Sequence, residues 1–262
     1  MPQTCIVWGE SEDRSGADTN LAAVAGEELF TFSGDAMRLR KDLPNVSMVY
    51  AWTSSASYPV QSLKISGPSI ANNPIYFNRG FAGSFSNTGI VYDYRNNPLQ
   101  SLRTDDEYTV SGFETDQAGT AHTLALVLIL SNTKVPISGP SQPITHQPRM
   151  TASGNTVAIG SGWQSRTLTE VSGEELPAGR YLMHGARVVS PTLIACRFIF
   201  KGLELRPAII PANNSEDSHH SFSNFWGKSI GFTLPDGMPS IEMVASSAET
   251  PEHIELYLTK VS

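Results

Sequence analysis

Residues 193–201 have the sequence Leu-Ile-Ala-Cys-Arg-Phe-Ile-Phe-Lys, and this stretch shows most clearly which structure the chain forms. Every second side chain from Ile194 to Phe200 is apolar, whereas Arg197 and Lys201 fall on the opposite face. A period of two indicates a β-strand, because successive side chains of a strand point to opposite faces of a sheet. We therefore predict a strand here, with Cys196 as a small buried apolar residue.

Similar short apolar runs, interrupted by turn residues, cover most of the chain and indicate many further strands. One connection, Asp35–Arg40, is predicted as a short helix. The chain is therefore expected to be all-β. The further predicted strands are Phe30–Phe32, Ser47–Thr53, Leu63–Ser66, Gly89–Tyr94, Glu107–Phe113, His122–Leu130, Val157–Ile159, Tyr181–Val189, Ile230–Leu234, Ile241–Ala245 and His253–Val261.

Residues 136–149 have a different composition, since they contain four prolines together with Gly, Ser and Gln. Proline has no backbone N–H to donate to a neighbouring strand, so this spacing favours an extended connector over a central strand. The connector lies close to the middle of the chain. We therefore predict a first β domain with a short N-terminal arm over residues 1–135, a linker over 136–149 and a second β domain over 150–262.

The two sides of this connector share an ordered set of short sequence matches, at offsets of 131–141 residues. The matches are Asp42–Pro44 with Glu175–Pro177, Tyr58–Pro59 with Ser190–Pro191, Pro68–Asn73 with Pro207–Asn214, Ser84–Asn87 with Ser221–Asn224, and Glu114–His122 with Glu249–His253. Their common order predicts tandem duplication of one β domain, the alternative being coincidence in a chain rich in Ser, Pro and Asn. A copy of roughly 110–130 residues with about eight strands fits an eight-stranded jelly roll or β-sandwich.

The closing strand of the first copy differs from that of the second. Residues 124–130 are apolar at every position, whereas apolar and polar residues alternate in residues 254–259. A strand that is apolar on both faces needs cover on both. The outer face of the first strand is therefore expected to meet the other barrel or another subunit, or else to be covered by its own loops.

Composition excludes several classes of protein. The chain has 262 residues and a net charge of −7, and only 16% of its residues are charged, against roughly 25% in soluble domains generally. The acidic balance argues against nucleic-acid binding through a basic surface. The first residues do not have the pattern of a secretory signal, and no apolar run approaches the ~20 residues of a membrane-spanning helix. Two cysteines, Cys5 and Cys196, cannot form a disulfide framework or a four-ligand zinc site unaided.

The sequence contains no recognisable catalytic or phosphate-binding motif. The loop Glu216–His220 has the densest set of possible metal ligands, but we interpret it as a solvated loop because nothing fixes the geometry of its donors. His184 is interpreted as a satisfied or surface histidine and Asp105–Glu107 as a solvent-facing turn. We nominate no catalytic, cofactor-binding or metal-binding residue, and we expect that the protein is not an enzyme.

Two tandem β domains, a proline-rich connector and no catalytic set resemble the double jelly-roll major capsid proteins of tailless icosahedral viruses, from about Gly26 to Ser262. The resemblance implies two eight-stranded jelly rolls in a structural, self-assembling subunit of the virion. It implies homotrimers that form pseudo-hexagonal capsomers, with neighbouring capsomers, other virion proteins and an internal membrane as further partners. It implies no cofactor and no sequence-specific nucleic acid.

Two other functions remain open at this stage. One is a tandem carbohydrate-binding or adhesin module, for which Phe222, Phe225 and Trp226 offer a sugar-stacking surface, although these residues fit an interface or a barrel cap equally well. The other is a picorna-like coat protein with a single jelly roll, in which case the internal repeat is a coincidence.

Overall fold

The computed structural model divides the chain into two units. Unit 1 contains Met1–Lys134 and Ala158–Gly162, and unit 2 contains Val135–Val157 and Trp163–Ser262. The residues that the structure describes are 3–12, 19–20, 23–25, 30–33, 36–39, 46–55, 60–70, 75–78, 91–93, 99–103, 106–114, 122–131, 143–154, 162–190, 192–203, 206–209, 211–212, 229–245, 251 and 253–262.

Apart from one 3₁₀ turn at Pro68–Ile70, every regular element among these residues is a strand. Unit 1 has β1 (Gln3–Glu12), β2 (Thr19–Asn20), β3 (Ala23–Ala25), β4 (Phe30–Ser33), β5 (Ala36–Leu39), β6 (Val46–Ser55), β7 (Val60–Ser66), β8 (Ile75–Asn78), β9 (Val91–Asp93), β10 (Leu99–Leu102), β11 (Glu107–Glu114) and β12 (His122–Ser131). Unit 2 has β13 (Arg149–Ala152), β14 (Gln164–Glu170), β15 (Gly179–Val189), β16 (Leu193–Ile199), β17 (Ala208–Ile209), β18 (Ile230–Leu234), β19 (Ser240–Ala245) and β20 (His253–Lys260).

The eight strands of unit 2 are all antiparallel to their neighbours and fall into two halves. One half has the order β13-β20-β15-β18 and the other the order β14-β19-β16-β17. Counted within the unit, these are strands 1-8-3-6 and 2-7-4-5, which is the jelly-roll arrangement of two Greek keys. A further pairing of β13 with β14 joins the halves into one eight-stranded sheet.

Unit 1 repeats this topology with separate sheets. Its first sheet contains β1, β12, β6 and β10 in that order, and its second contains β5, β11, β7 and β8. Four additional strands extend these sheets, since β3 pairs with β1, β9 with β6, β4 with β5 and β2 with β11. Residues 3–12, at the N-terminal end where a short arm was predicted, form a strand next to β12.

Register supports the correspondence between the two units. Ser66 pairs with Thr109 in unit 1, and Phe198 pairs with Ile241 in unit 2, so both partners are displaced by 132 residues. The prediction of an all-β chain with two related eight-stranded jelly rolls is confirmed by this strand order. Unit 1 differs from the prediction only in having more strands than eight.

A β-bulge occurs at the same place in both units. In unit 1 the bulged residue is Val49 of β6, opposite the pair Ile129 and Leu130 of the last strand. In unit 2 it is His184 of β15, opposite Tyr257 and Leu258 of the last strand. A bulge inserts one residue and changes the direction in which the neighbouring side chains point, so its recurrence is a structural feature of the duplicated domain.

The matched sequence segments do not all occupy equivalent positions in the two units. The match of Glu114–His122 with Glu249–His253 holds, because His122 and His253 begin the equivalent strands β12 and β20. The match of Pro68–Asn73 with Pro207–Asn214 is wrong, because the first segment begins with the 3₁₀ turn before β8 whereas the second contains β17, the counterpart of β8. Each of the other three matches includes residues outside those described, Ser84–Asn87 and Ser221–Asn224 among them.

The predicted helix at Asp35–Arg40 is also wrong, because these residues include strand β5. Met37 of this strand is fully buried, and the next residue, Arg38, pairs with Glu107 of β11 across the sheet. Pairing with a strand on each side overrides the weak local preference for a helix.

Strand β18 shows how the core of unit 2 is built. Its Ile230, Phe232 and Leu234 are buried and the residues between them are exposed. Phe232 stacks on Tyr181 of the neighbouring β15 at a centroid distance of 5.7 Å, and it also contacts Phe200, directly after β16, at 6.3 Å. Since β16 belongs to the other half of the jelly roll, this aromatic cluster connects the two halves.

We expect Phe232→Ala to destabilise unit 2 by about 3–5 kcal/mol, because it removes the ring between the two halves and leaves a cavity. The measurement is the free energy of unfolding of unit 2 in a guanidinium titration. Thr233→Ala, at the adjacent exposed position, is the matched control and should cost less than about 1 kcal/mol. Equal losses for both variants would contradict the assignment of Phe232 to the core.

Candidate functional site

His184, the bulged residue of β15, is fully buried and lies in a chain of hydrogen bonds. Its Nδ1 is 2.6 Å from the Ser229 hydroxyl oxygen, and its Nε2 is 2.7 Å from Oγ1 of Thr259. Oγ1 of Thr259 in turn donates to the carbonyl oxygen of Pro143 at 2.6 Å. This chain joins four parts of unit 2 that are far apart in sequence.

The chain of hydrogen bonds determines the tautomer of the neutral imidazole. A carbonyl oxygen only accepts, so the single hydroxyl proton of Thr259 is used on Pro143 and Thr259 must accept from Nε2–H of His184. Nδ1 is then the acceptor for Ser229 in the neutral ring. Burial lowers the pKa of His184 and so also favours this neutral form. The interpretation of His184 as a satisfied histidine is confirmed.

Residues 143–148, which we call the strap, form an extended segment along β20. The amides of Thr145 and His146 both donate to the Leu258 carbonyl, at 2.8 and 3.1 Å, and the Leu258 amide donates back to His146 at 2.9 Å. The hydroxyl of Thr145 accepts from the Lys260 amide at 3.1 Å. The strap lies within the segment predicted as a linker, and it belongs to unit 2.

A second polar cluster lies on β16 and β19, where Arg197 and Glu242 are cross-strand partners. Arg197 is fully buried and its Nε donates to Oε2 of Glu242 at 2.6 Å. Its guanidinium carbon lies 4.3 Å from the ring centroid of Trp163, and Nη1 of Arg206 approaches the same carboxylate oxygen at 3.6 Å. The face of β16 opposite Ile194 and Phe198 is therefore also buried. The charge of Arg197 is balanced by the Glu242 carboxylate and further stabilised by the face of the Trp163 ring.

An open groove of about 550 Å³ lies beside the strap, between Arg149, the loop at 174–176 and the start of β20. Arg149 donates to Glu174 from its backbone amide at 2.8 Å and from Nε at 2.6 Å. The side-chain hydrogen bond from Arg149 lowers the pKa of Glu174 most, and the bond from its amide adds to this. His253 Nε2 is 3.4 Å from a Glu255 carboxylate oxygen. The carboxylates of Glu174 and Glu255 in the groove therefore already have partners within the protein.

Other residues singled out from the sequence are placed as follows. Cys196 is fully buried, with Sγ 3.7 Å from the Ile209 carbonyl oxygen, which confirms its interpretation as a small buried residue. Asp106 accepts a hydrogen bond from the Ser69 amide at 2.8 Å, and Glu107 is exposed at the start of β11. The loop Glu216–His220 and the three aromatic residues at 222, 225 and 226 lie outside the described residues.

Within the described part of the chain, no group of three or more His, Cys, Asp or Glu side chains is arranged to hold a metal ion. The same residues include no helix of the length and apolar character that a membrane crossing requires. Sequence reasoning missed the Arg197–Glu242 pair. A lone arginine on an apolar strand was the available signal, but its partner lies 45 residues away.

The chain is similar to a known viral structure, at low sequence identity. No family model matches the sequence, and no curated protein matches it. The crystal structure of the major capsid protein P2 from bacteriophage PM2 is similar at 10% sequence identity and a TM-score of 0.27, over 100% of this chain and 98% of that chain. The jelly-roll assignment made above depends on strand order and register, not on this similarity.

We expect Glu242→Gln to lower the free energy of unfolding of unit 2 by about 3–5 kcal/mol, because it leaves the buried Arg197 guanidinium without its counter-charge. The matched control is Glu107→Gln, which removes the carboxylate of the exposed cross-strand pair with Arg38 and should cost less than about 1 kcal/mol. Both values come from denaturant titrations of the full chain. A loss for Glu242→Gln no larger than for Glu107→Gln would contradict the burial of this ion pair.

Proposed function

We propose that the chain is a structural capsid subunit that assembles, as trimeric pseudo-hexagonal capsomers, into an icosahedral virion shell. The observation that carries this proposal is the presence of two jelly rolls with the same strand order in one short chain. Jelly rolls are a recurrent fold of viral shells, and they also occur in lectins and cupins. The tandem arrangement is what favours the shell over these other uses.

Symmetry explains why two copies in one chain suit a shell. Three chains around a three-fold axis bring together six similar domains, which approximates a six-fold arrangement. Such a capsomer can occupy hexagonal positions of a closed shell, and closed symmetry allows the same few contacts to be used many times. A single jelly roll would need six separate chains to present the same outline.

The low proportion of charged residues is compatible with close contacts between identical copies of the chain. Only 16% of its residues are charged, so the repulsion between like surfaces is small. Among the described residues, the large apolar side chains that are exposed are Leu203 and Val261. On this proposal the chain is not an enzyme, it acts in the virion, and its partners are copies of itself and other virion proteins, with an internal membrane as a further candidate.

The test is the mass and shape of the purified full chain. We expect size-exclusion chromatography with light scattering to give a trimer of about 85 kDa, three times the chain mass of 28.4 kDa. Because few charges are available for the contacts, the trimer should persist from about 0.05 to 0.5 M NaCl, a range over which exposed ion pairs are strongly screened. Negative-stain images should show six-lobed particles or closed shells.

A monomer at all protein concentrations would contradict the proposal. Monomers that bind immobilised glycans would instead favour the tandem carbohydrate-binding module, and alanine substitutions at Phe222, Phe225 and Trp226 would then be expected to abolish that binding.

A further inference from the structure

We propose that the hydrogen-bond chain from Ser229 through His184 and Thr259 to Pro143 is an acid-released clasp that holds the strap on unit 2. The proposal concerns unit 2 alone and does not depend on the capsid function. It goes beyond that function because it assigns a conformational response to one histidine and names the segment that responds.

The clasp is built for a neutral imidazole. Each of its three hydrogen bonds is 2.6 or 2.7 Å long. The carbonyl of Pro143 sets the direction of the two bonds of Thr259, and in the neutral ring Nδ1 then accepts from Ser229. Protonation of Nδ1 would place two donors, Nδ1–H and the Ser229 hydroxyl, against each other. Ser229 would have to turn its hydroxyl proton away, and a cation would remain at a fully buried position.

No described charged group compensates such a cation. The titratable residues on the elements packed against His184 are His146 on the strap, and His253, Glu255, Tyr257 and Lys260 on β20; β18 carries none. On β15 itself they are Arg180, Tyr181 and Arg187. None of these side chains contributes to the pKa of His184, which burial alone lowers.

The strap is the part of unit 2 that can detach from β20. Pro143, Thr145 and Gln147 are exposed, although Pro148 is buried. Hydrogen bonds to Leu256, Leu258, Thr259 and Lys260 hold the segment to β20. Its release would open one side of the polar chain to water and would remove the edge contact of His146 with the Tyr181 ring, at 5.6 Å between centroids, but not the stacking of Tyr181 on Phe232. Opening of a short edge segment costs far less free energy than unfolding of the whole unit.

The direction of the pH effect follows from linkage. The closed form keeps His184 neutral below the ordinary histidine pKa, whereas the open form takes up a proton there. Strap contacts are therefore fully present above pH about 6.5 and are lost as the pH falls below it. The opening constant should rise about tenfold per pH unit below that value, until the pKa of the closed form is reached.

The experiment is hydrogen–deuterium exchange of the full chain, read by mass spectrometry and corrected for the intrinsic rate at each pH. Between pH 7.5 and 5.5 we expect the protection of the strap peptide to fall about tenfold. The protection of a peptide covering β16, whose Phe198 amide is bonded to the Pro207 carbonyl at 2.9 Å, should stay constant. Equal changes in both peptides would overturn the proposal, because they would indicate global loosening.

Two variants separate His184 from the other histidine nearby. Gln in His184→Gln can still donate to Thr259 and accept from Ser229 but does not titrate, so the pH dependence of strap exchange should disappear. His146→Gln removes the titratable group of the strap itself and should leave that dependence unchanged. The reverse pattern would overturn the proposal.

A third variant tests the geometry even where His184→Gln fails to fold. Thr259→Val keeps the side-chain shape but removes the hydroxyl between His184 and Pro143. We expect strap exchange at pH 7.5 to become about five- to tenfold faster, because the variant lacks the hydrogen bond from Thr259 to Pro143 that opening of the strap breaks. Unchanged exchange would show that the strap is held without the clasp.

Discussion

Pairing between the first and last strand is the contact on which each unit depends. In unit 1 the ladder is continuous over ten residue pairs, from Gln3 with Ser131 to Glu12 with His122. In unit 2, β13 pairs with β20, and the strap continues this contact along β20. These pairings close a chain of more than 100 residues, and the entropy cost of such closure grows only slowly with length. The last strand then lies in the interior of its sheet, because its other side pairs with β6 in unit 1 and with β15 in unit 2.

The two units differ in how the backbone hydrogen-bonding groups at the edges of their sheets find partners. In unit 2, β13 and β14 join the halves into one sheet, so two strand edges are paired with each other. In unit 1 the corresponding sheets remain separate and are extended by four short strands. An unpaired edge exposes backbone donors and acceptors that can recruit other chains, so some device of this kind is required in each unit. The recurrent bulge is independent of this choice, and in unit 2 it is occupied by the buried His184.

Local patterning predicted a large part of the fold. The predicted strand Ile230–Leu234 has the observed bounds of β18, and the predicted strand at Tyr181–Val189 lies within β15. Strand β1 was missed because Glu10, Ser11 and Glu12 interrupt the alternation in its second half. Strand β13 alternates between exposed and buried residues but was missed because it is only four residues long and begins inside the predicted linker. Asp35–Arg40 was assigned to the wrong class because only neighbouring strands, distant in sequence, stabilise β5. No pattern in the sequence predicted the clasp or the Arg197–Glu242 pair.

The sequence by itself determined that the chain is all-β and that it contains two related domains, because a period of two and an ordered repeat are properties of neighbouring residues and of their order. The tertiary structure decided which polar side chains are buried and what they contact. His184 meets Thr259 across 75 residues, Thr259 meets Pro143 across 116, and Arg197 meets Glu242 across 45. Such partners are brought together by strand order and register, and a single histidine or arginine in a strand has the same local pattern whether it is exposed or buried.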